Sequence, residues 1–113
     1  MSWRVQGMRT WLWQRLTAVY MLLFGIGFSL FVVTQNIDNY QAWRSLFEMP
    51  AISIASALFF FSLLYHAWVG VRDILIDYIK WSTIRFVVWT LITVGLIALG
   101  IWVAMMLYSV VAI

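Results

Sequence analysis

The chain has 113 residues, of which 65% are hydrophobic and 10% are charged, and its mean hydropathy is +0.98. A soluble domain carries about 25% charged residues, so this composition excludes a water-soluble globular protein and indicates an integral membrane protein. Cysteine is absent, which excludes disulfide bonds, zinc–thiolate sites and iron–sulfur ligation by this chain. The net charge of +3 comes from scattered residues and does not indicate nucleic-acid binding.

Three apolar stretches are long enough to cross a bilayer, which requires about 20 helical residues. They predict an all-α fold that forms a single domain over residues 1–113, with spans at about 12–34, 51–76 and 84–110. The first stretch is too long for a signal peptide, so we expect it to be retained as an anchor. Between the first two spans, Tyr40, Trp43 and Phe47 have helical spacing and predict a short interfacial helix.

The distribution of lysine and arginine predicts the orientation in the membrane. Six of these residues flank the N-terminus and the loop between the second and third spans, and only Arg44 lies in the other loop. The positive-inside rule therefore places the N-terminus in the cytoplasm and the C-terminus in the periplasm. The six residues are Arg4, Arg9, Arg15, Arg72, Lys80 and Arg85.

The single histidine, His66, lies inside the second span. Because each helical residue advances by about 100°, Gly70, Asp73 and Asp77 share its side of the helix. Ionisable residues within membrane spans are rare and usually functional, and a neutral imidazole at this depth suits a haem iron. Gly70 would let a flat macrocycle approach the backbone closely. The alternative is a histidine that only hydrogen-bonds a neighbouring helix.

The chain contains one histidine, so it can supply only one imidazole ligand to a haem. Met21, Met49, Met105 and Met106 are poorly placed to supply a second ligand. A six-coordinate haem would therefore need its other ligand from a second chain. The sequence predicts half of a haem site within a heteromeric helix bundle.

Asp77 and Tyr78 place a carboxylate beside a phenol at the predicted cytoplasmic end of the second span. A hydrogen-bond donor next to a proton acceptor suits a quinone, whose carbonyl groups take up protons on reduction. Asp73 lies closer to His66 and could take part in the same site. The alternative is that it forms an ion pair at the helix end with Arg72, Lys80 or Arg85.

Two other classes of protein are alternatives for a chain with these spans. A small proton-coupled transporter subunit would need a carboxylate buried within a span, whereas all four acids lie in loops or near helix ends. A haem-free anchor, including one of the fumarate reductase type, stays open because the direction of catalysis is not encoded in these residues.

The run His66-x3-Gly70-x6-Asp77-Tyr78 resembles the hydrophobic membrane anchor (D) subunit of succinate dehydrogenase, respiratory complex II. The segment Gln14-Arg15-Leu16-Thr17-Ala18 resembles the N-terminal part of the same family, and the resemblance covers nearly the whole chain. It implies that His66 is an axial ligand of haem b and that Arg15 lies near the haem propionates. It further implies that Tyr78 hydrogen-bonds ubiquinone and that Asp77 serves proton delivery. The alternative for Arg15 is an arginine that extends to the membrane interface.

The resemblance also implies the partners. A cytochrome b556 subunit would supply the second haem ligand, while an iron–sulfur subunit and a flavoprotein subunit would oxidise succinate for the respiratory chain and the tricarboxylic acid cycle. The chain would not be catalytic alone, and would lie in the inner membrane of a bacterial cell. Relatives can carry an uncharged polar residue in place of Asp73, so the resemblance assigns it no role.

Overall fold

The computed structural model describes residues 3–111, with side chains described from residue 7 onward, so the side chain of Arg4 lies outside the described residues. The chain folds into four helices, and no strand occurs within residues 3–111. Three segments are long and apolar enough to cross a membrane. The prediction of an all-α membrane protein with three spanning helices is confirmed, whereas the orientation stays a prediction. The helices are α1 (Trp3–Val33), α2 (Tyr40–Glu48), α3 (Pro50–Tyr78) and α4 (Ser82–Val110).

The spanning helices extend beyond the apolar runs that predict them. Helix α1 begins at Trp3, well before residue 12, because backbone hydrogen bonding does not stop where hydropathy falls. Helices α3 and α4 have 29 residues each, or about 43 Å, compared with about 30 Å for the hydrocarbon core. The ends that project beyond the core can carry charged residues into the interface.

Local side-chain chemistry determines where the helices begin and end. Beyond α1, Asn36 adopts a φ of 48°, a left-handed conformation that asparagine tolerates better than most residues. The Asn39 carboxamide oxygen accepts a hydrogen bond of 2.8 Å from the backbone N–H of Ala42 and caps the start of α2. Pro50 occupies the first turn of α3, where its missing N–H costs nothing. These residues define the ends of the helices, and the connections between the helices are short.

Helix α3 lies in the middle of the molecule. It packs against α1 on one side and α4 on the other, and within the described residues no Cα atoms of α1 and α4 approach within 8 Å. The three spans form a row, α1–α3–α4. Helix α2 confirms the predicted short helix, and it packs against α3 and α4.

Hydrogen bonds and aromatic rings join α1 to α3. The Tyr20 hydroxyl donates to the carbonyl oxygen of Ala55 at 2.7 Å, and the rings of Phe24 and Phe59 lie 5.0 Å apart. Such bonds matter within a membrane because no water is available to replace them.

The α3–α4 contact has a polar and a close-packed part. The Trp68 indole N–H donates to the Thr93 hydroxyl at 3.0 Å, and the ring of Trp68 stacks on that of Trp89 at 4.9 Å. Gly100 is buried, and an added Cβ would lie 3.2 Å from Cδ1 of Leu64. The helices approach closely here because glycine has no side chain.

Candidate functional site

A cavity of about 480 Å³ opens between the N-terminal half of α1 and the C-terminal half of α3. Its lining residues recur every three or four positions on both helices, so each helix contributes one stripe of its surface. They are Gly7, Thr10, Trp11, Gln14, Arg15, Ala18, His66, Val69, Arg72 and Asp73. The structure thus brings His66, Arg15 and Asp73, which the sequence singled out separately, to one cavity.

His66 is half-buried in this cavity, and its ring Nδ1 is buried without a hydrogen-bond partner. The Gln14 side-chain amide donates to the backbone carbonyl of His66 at 3.3 Å, which holds α1 against α3 beside the histidine. The Gln14 carboxamide oxygen is also buried and without a partner. A buried polar group that lacks a partner costs about 1–3 kcal/mol, so both atoms suit a polar ligand or a partner from outside the chain.

The surface of α3 beside His66 is open. A Cβ added to Gly70 would meet no atom within 4 Å, and Gly70 does not itself line the cavity. The absence of a side chain therefore leaves open space beside the backbone at Gly70, on the same side of the helix as His66.

The mouth of the cavity carries a positive balance of charge. The Arg15 guanidinium lies 5.4 Å from the centre of the Trp11 ring, a cation–π contact that orients the side chain. Arg72 and Asp73 form an ion pair of 3.2 Å, the one salt bridge between residues 7 and 111, and both side chains are substantially exposed. Two guanidinium groups and one carboxylate leave one net positive charge, which favours an anionic group at the mouth.

Asp77 and Tyr78 do not line this cavity. Both are exposed, Tyr78 to 78%, and Tyr78 lies 12 residues beyond His66, or about 18 Å along the helix axis. The structure therefore separates the histidine from the carboxylate–phenol pair, which stands at the end of α3.

Gln14, Thr10, Trp11 and Arg72 line the cavity but were not assigned to the histidine site from sequence. The sequence signal for them on α1 is the helical spacing of Gly7, Thr10, Gln14 and Ala18, which places two polar and two small residues on one side of the helix. Which helix this side of α1 contacts depends on tertiary packing, and the sequence alone did not indicate it.

The described residues contain no group of three or more histidine, cysteine, aspartate or glutamate side chains that could hold a metal ion.

The fold and the cavity define a multi-pass membrane protein with a polar site between two of its spans. The chain belongs to the family described as succinate dehydrogenase/fumarate reductase transmembrane subunit, whose model matches residues 1–113. It is similar to the succinate dehydrogenase hydrophobic membrane anchor subunit of Coxiella burnetii, with 31% identity over 97 residues, which cover 86% of this chain and 84% of that protein. The resemblance recognised from the His66 motif is confirmed, and the transporter alternative is set aside.

Proposed function

We propose that the chain is the anchor subunit of a bacterial succinate:quinone oxidoreductase and that His66 is one axial ligand of a haem b shared with a partner subunit. The observation that carries this proposal is the pair of buried, unpartnered polar atoms, His66 Nδ1 and Gln14 Oε1, on one cavity of a membrane protein. Lipid cannot hydrogen-bond either atom, so a ligand or partner must do so.

The residues of the cavity fit a haem. One ring nitrogen of His66 would bind the iron and the other would need an acceptor, for which the unpaired Gln14 oxygen on the same cavity is available. Arg15 and Arg72 would offset the propionate charges at the mouth, and the open surface at Gly70 would accept the edge of the macrocycle. When bound, the haem supplies a one-electron redox centre.

The second axial ligand is assigned to a partner chain. The sequence has no second histidine and no cysteine, and a bis-histidine haem needs two imidazoles. A cytochrome b556 subunit would supply the other histidine and close the cavity from its open side.

The exposed pair at the end of α3 is assigned to ubiquinone. The Tyr78 phenol would donate a hydrogen bond to a quinone carbonyl, and the Asp77 carboxylate would hold a proton close to it. Because both side chains are exposed here, other subunits would complete the pocket. In this assignment an iron–sulfur subunit docks at that end and delivers electrons that a flavoprotein subunit takes from succinate.

The test is the visible spectrum of the purified complex. The wild-type complex should show reduced b-type bands, and His66→Leu should lose or strongly weaken them. The three spans should remain inserted, because leucine inserts into the bilayer more favourably than histidine does. Ser62→Leu is the matched control, since Ser62 lies one turn earlier on α3 and does not line the cavity.

A His66→Leu complex with an unchanged low-spin spectrum would remove His66 from the haem. A wild-type complex without b-type bands would indicate a haem-free anchor, and in that case the cavity would bind another polar group or a partner side chain. Faster reduction of fumarate than oxidation of succinate would assign the complex to the fumarate reductase type.

A further inference from the structure

Two cavities lie between α3 and α4. At the loop end, a cavity of about 330 Å³, here the basic cavity, is lined by Arg72, Arg85 and Ser82 among others. Deeper along the same two helices, an apolar cavity of about 540 Å³ is lined by residues that include Phe61, Tyr65, Gly100 and Ala104.

The two cavities lie in line along the same sides of α3 and α4, and together they are called the groove here. On α3 their residues follow one another at intervals of three or four, from Phe61 through Tyr65 and Trp68 to Arg72. The stacked Trp68–Trp89 pair lies between the two cavities. Trp68 lines the apolar cavity and Trp89 lines the basic cavity. Along α4 the apolar cavity runs from Thr93 to Ala104, or about 16 Å, which is close to half of the ~30 Å hydrocarbon core.

The groove is separate from the His66 cavity. Trp68 lies about 160° around α3 from His66, and Phe61 about 140°, so these residues occupy the opposite side of the helix. Arg72 is the one residue that lines both cavities. Arg85 lines the basic cavity and not the His66 cavity, so a substitution of Arg85 tests the groove without changing the His66 cavity.

The charges of the groove are concentrated at one end. Arg72 is paired with Asp73 at 3.2 Å, whereas no carboxylate of the described residues lies within 4 Å of Arg85. The guanidinium of Arg85 and the hydroxyl of Ser82 are hydrogen-bond donors that suit a phosphate oxygen, and the deeper walls carry almost no polar surface. A basic end joined to an apolar channel one leaflet long is complementary to an anionic phospholipid.

We infer that an anionic phospholipid occupies this groove, with its phosphate at Arg85 and one acyl chain along the apolar cavity. Arginine contributes to the binding of anionic lipid by charge, so loss of one arginine should weaken binding about fivefold. A zwitterionic lipid of the same chain length fills the apolar cavity but gains less from the arginines. This inference does not depend on the haem or on the quinone.

The headgroup is tested on the protein purified in mild detergent with its co-purifying subunits and then stripped of lipid. Spin-labelled phosphatidylglycerol should bind more tightly than phosphatidylethanolamine with identical acyl chains. Arg85→Gln should weaken phosphatidylglycerol binding about fivefold and phosphatidylethanolamine binding by less, because the ammonium group of phosphatidylethanolamine offsets the charge of its phosphate. Lys80→Gln is the matched control, because Lys80 is a cation at the same end that does not line the groove, and Arg85→Lys should retain most of the binding.

The acyl channel is tested with Ala104→Phe, which places a ring in the apolar cavity and should weaken both lipids. Ala98→Phe is its control, because Ala98 is exposed on α4 and does not line the groove. Equal affinity for the two lipids, or wild-type phosphatidylglycerol binding in Arg85→Gln, would overturn the assignment. Loss of a co-purifying subunit from Arg85→Gln with lipid binding unchanged would overturn it too and assign the groove to a protein.

Discussion

At the scale of single residues, two buried polar atoms of the chain lack hydrogen-bond partners, His66 Nδ1 and Gln14 Oε1. Each costs about 1–3 kcal/mol if nothing pairs with it, and in a bilayer water cannot do so. The chain tolerates this cost beside a cavity that opens to its own surface. The two atoms therefore lack partners in the chain itself, and a ligand and a partner subunit would supply them.

Tyr78→Phe is expected to lower succinate–quinone reductase activity at least several-fold. The substitution keeps the exposed ring at the end of α3 and deletes one hydrogen-bond donor, worth about 0.5–1.5 kcal/mol when neutral and more if charge develops on the quinone oxygen. The measurement is steady-state quinone reduction by the assembled complex. Succinate oxidation with a soluble dye should remain near wild type, because the dye bypasses the quinone pocket.

Tyr40→Phe is the control for this prediction, since Tyr40 is also an exposed tyrosine but lies at the start of α2. The haem spectrum should also be unaffected by Tyr78→Phe, because Tyr78 does not line the His66 cavity. Unchanged quinone kinetics in a correctly assembled complex would leave Tyr78 as an interfacial aromatic residue.

The importance of His66 could be predicted because an ionisable residue within an apolar run is unusual whatever surrounds it. The association of Arg15 with His66 came from the family resemblance, and the cavity agrees with it. Gln14 and Arg72 could not be assigned to the site from sequence, because the packing of α1 against α3 determines which side chains line the cavity. Asp77 shares a side of α3 with His66 by helical spacing, yet the distance along the axis keeps it out of the cavity.

At the scale of helices, hydropathy predicted the three spans but not their ends. Helix α1 begins at Trp3, and the segment before the apolar run contains the good helix formers Arg4, Gln6, Met8 and Arg9, a preference that hydropathy does not register. The short α2 was predicted from three aromatic residues. The rings of Trp43 and Phe47 pack 5.1 Å apart and against Phe28 of α1, so tertiary contacts help to hold this helix in place.

Gly100→Leu is expected to destabilise the contact between α3 and α4. An added Cβ would already lie 3.2 Å from Leu64 and 3.5 Å from Phe61, and a leucine would have to push the helices apart. Overpacking of this kind typically costs about 1–3 kcal/mol. The measurement is unfolding of the purified protein in mixed detergent micelles, followed by circular dichroism.

Gly95→Leu is the matched control on the same helix, because a Cβ at Gly95 would meet no atom within 4 Å. It should leave the unfolding midpoint unchanged or raise it slightly, since leucine favours helix more than glycine does. Equal midpoints for Gly100→Leu and wild type would show that the two helices can separate at this point without loss of stability.

At the scale of the whole molecule, little of the apolar surface is buried within the chain. Among the described residues, the buried apolar side chains are Leu46, Val69 and Leu75, and most large apolar side chains are exposed. A row of three helices buries less apolar surface than a closed bundle does, so lipid and partner subunits must cover the apolar surface that stays exposed. This agrees with membership in a family of transmembrane subunits.

Expressed without partner subunits, the chain is expected to insert its three spans but not to bind haem stably, because its sequence supplies a single histidine. Protease accessibility and haem content of membranes from such cells would measure both properties. Co-expression with the partner subunits should restore the haem. Stoichiometric haem on the lone chain would show that the second ligand is internal, which would contradict the half-site.

The row of helices has a consequence for biosynthesis. Every residue that lines the His66 cavity lies between Gly7 and Asp73, and α4 contributes none of them. Since the ribosome makes the chain from its N-terminus, the α1–α3 hairpin can enter the bilayer with this cavity already formed while α4 is still being translated. A partner subunit could therefore begin to assemble on the nascent chain, and α4 would be added last, on the far side of α3.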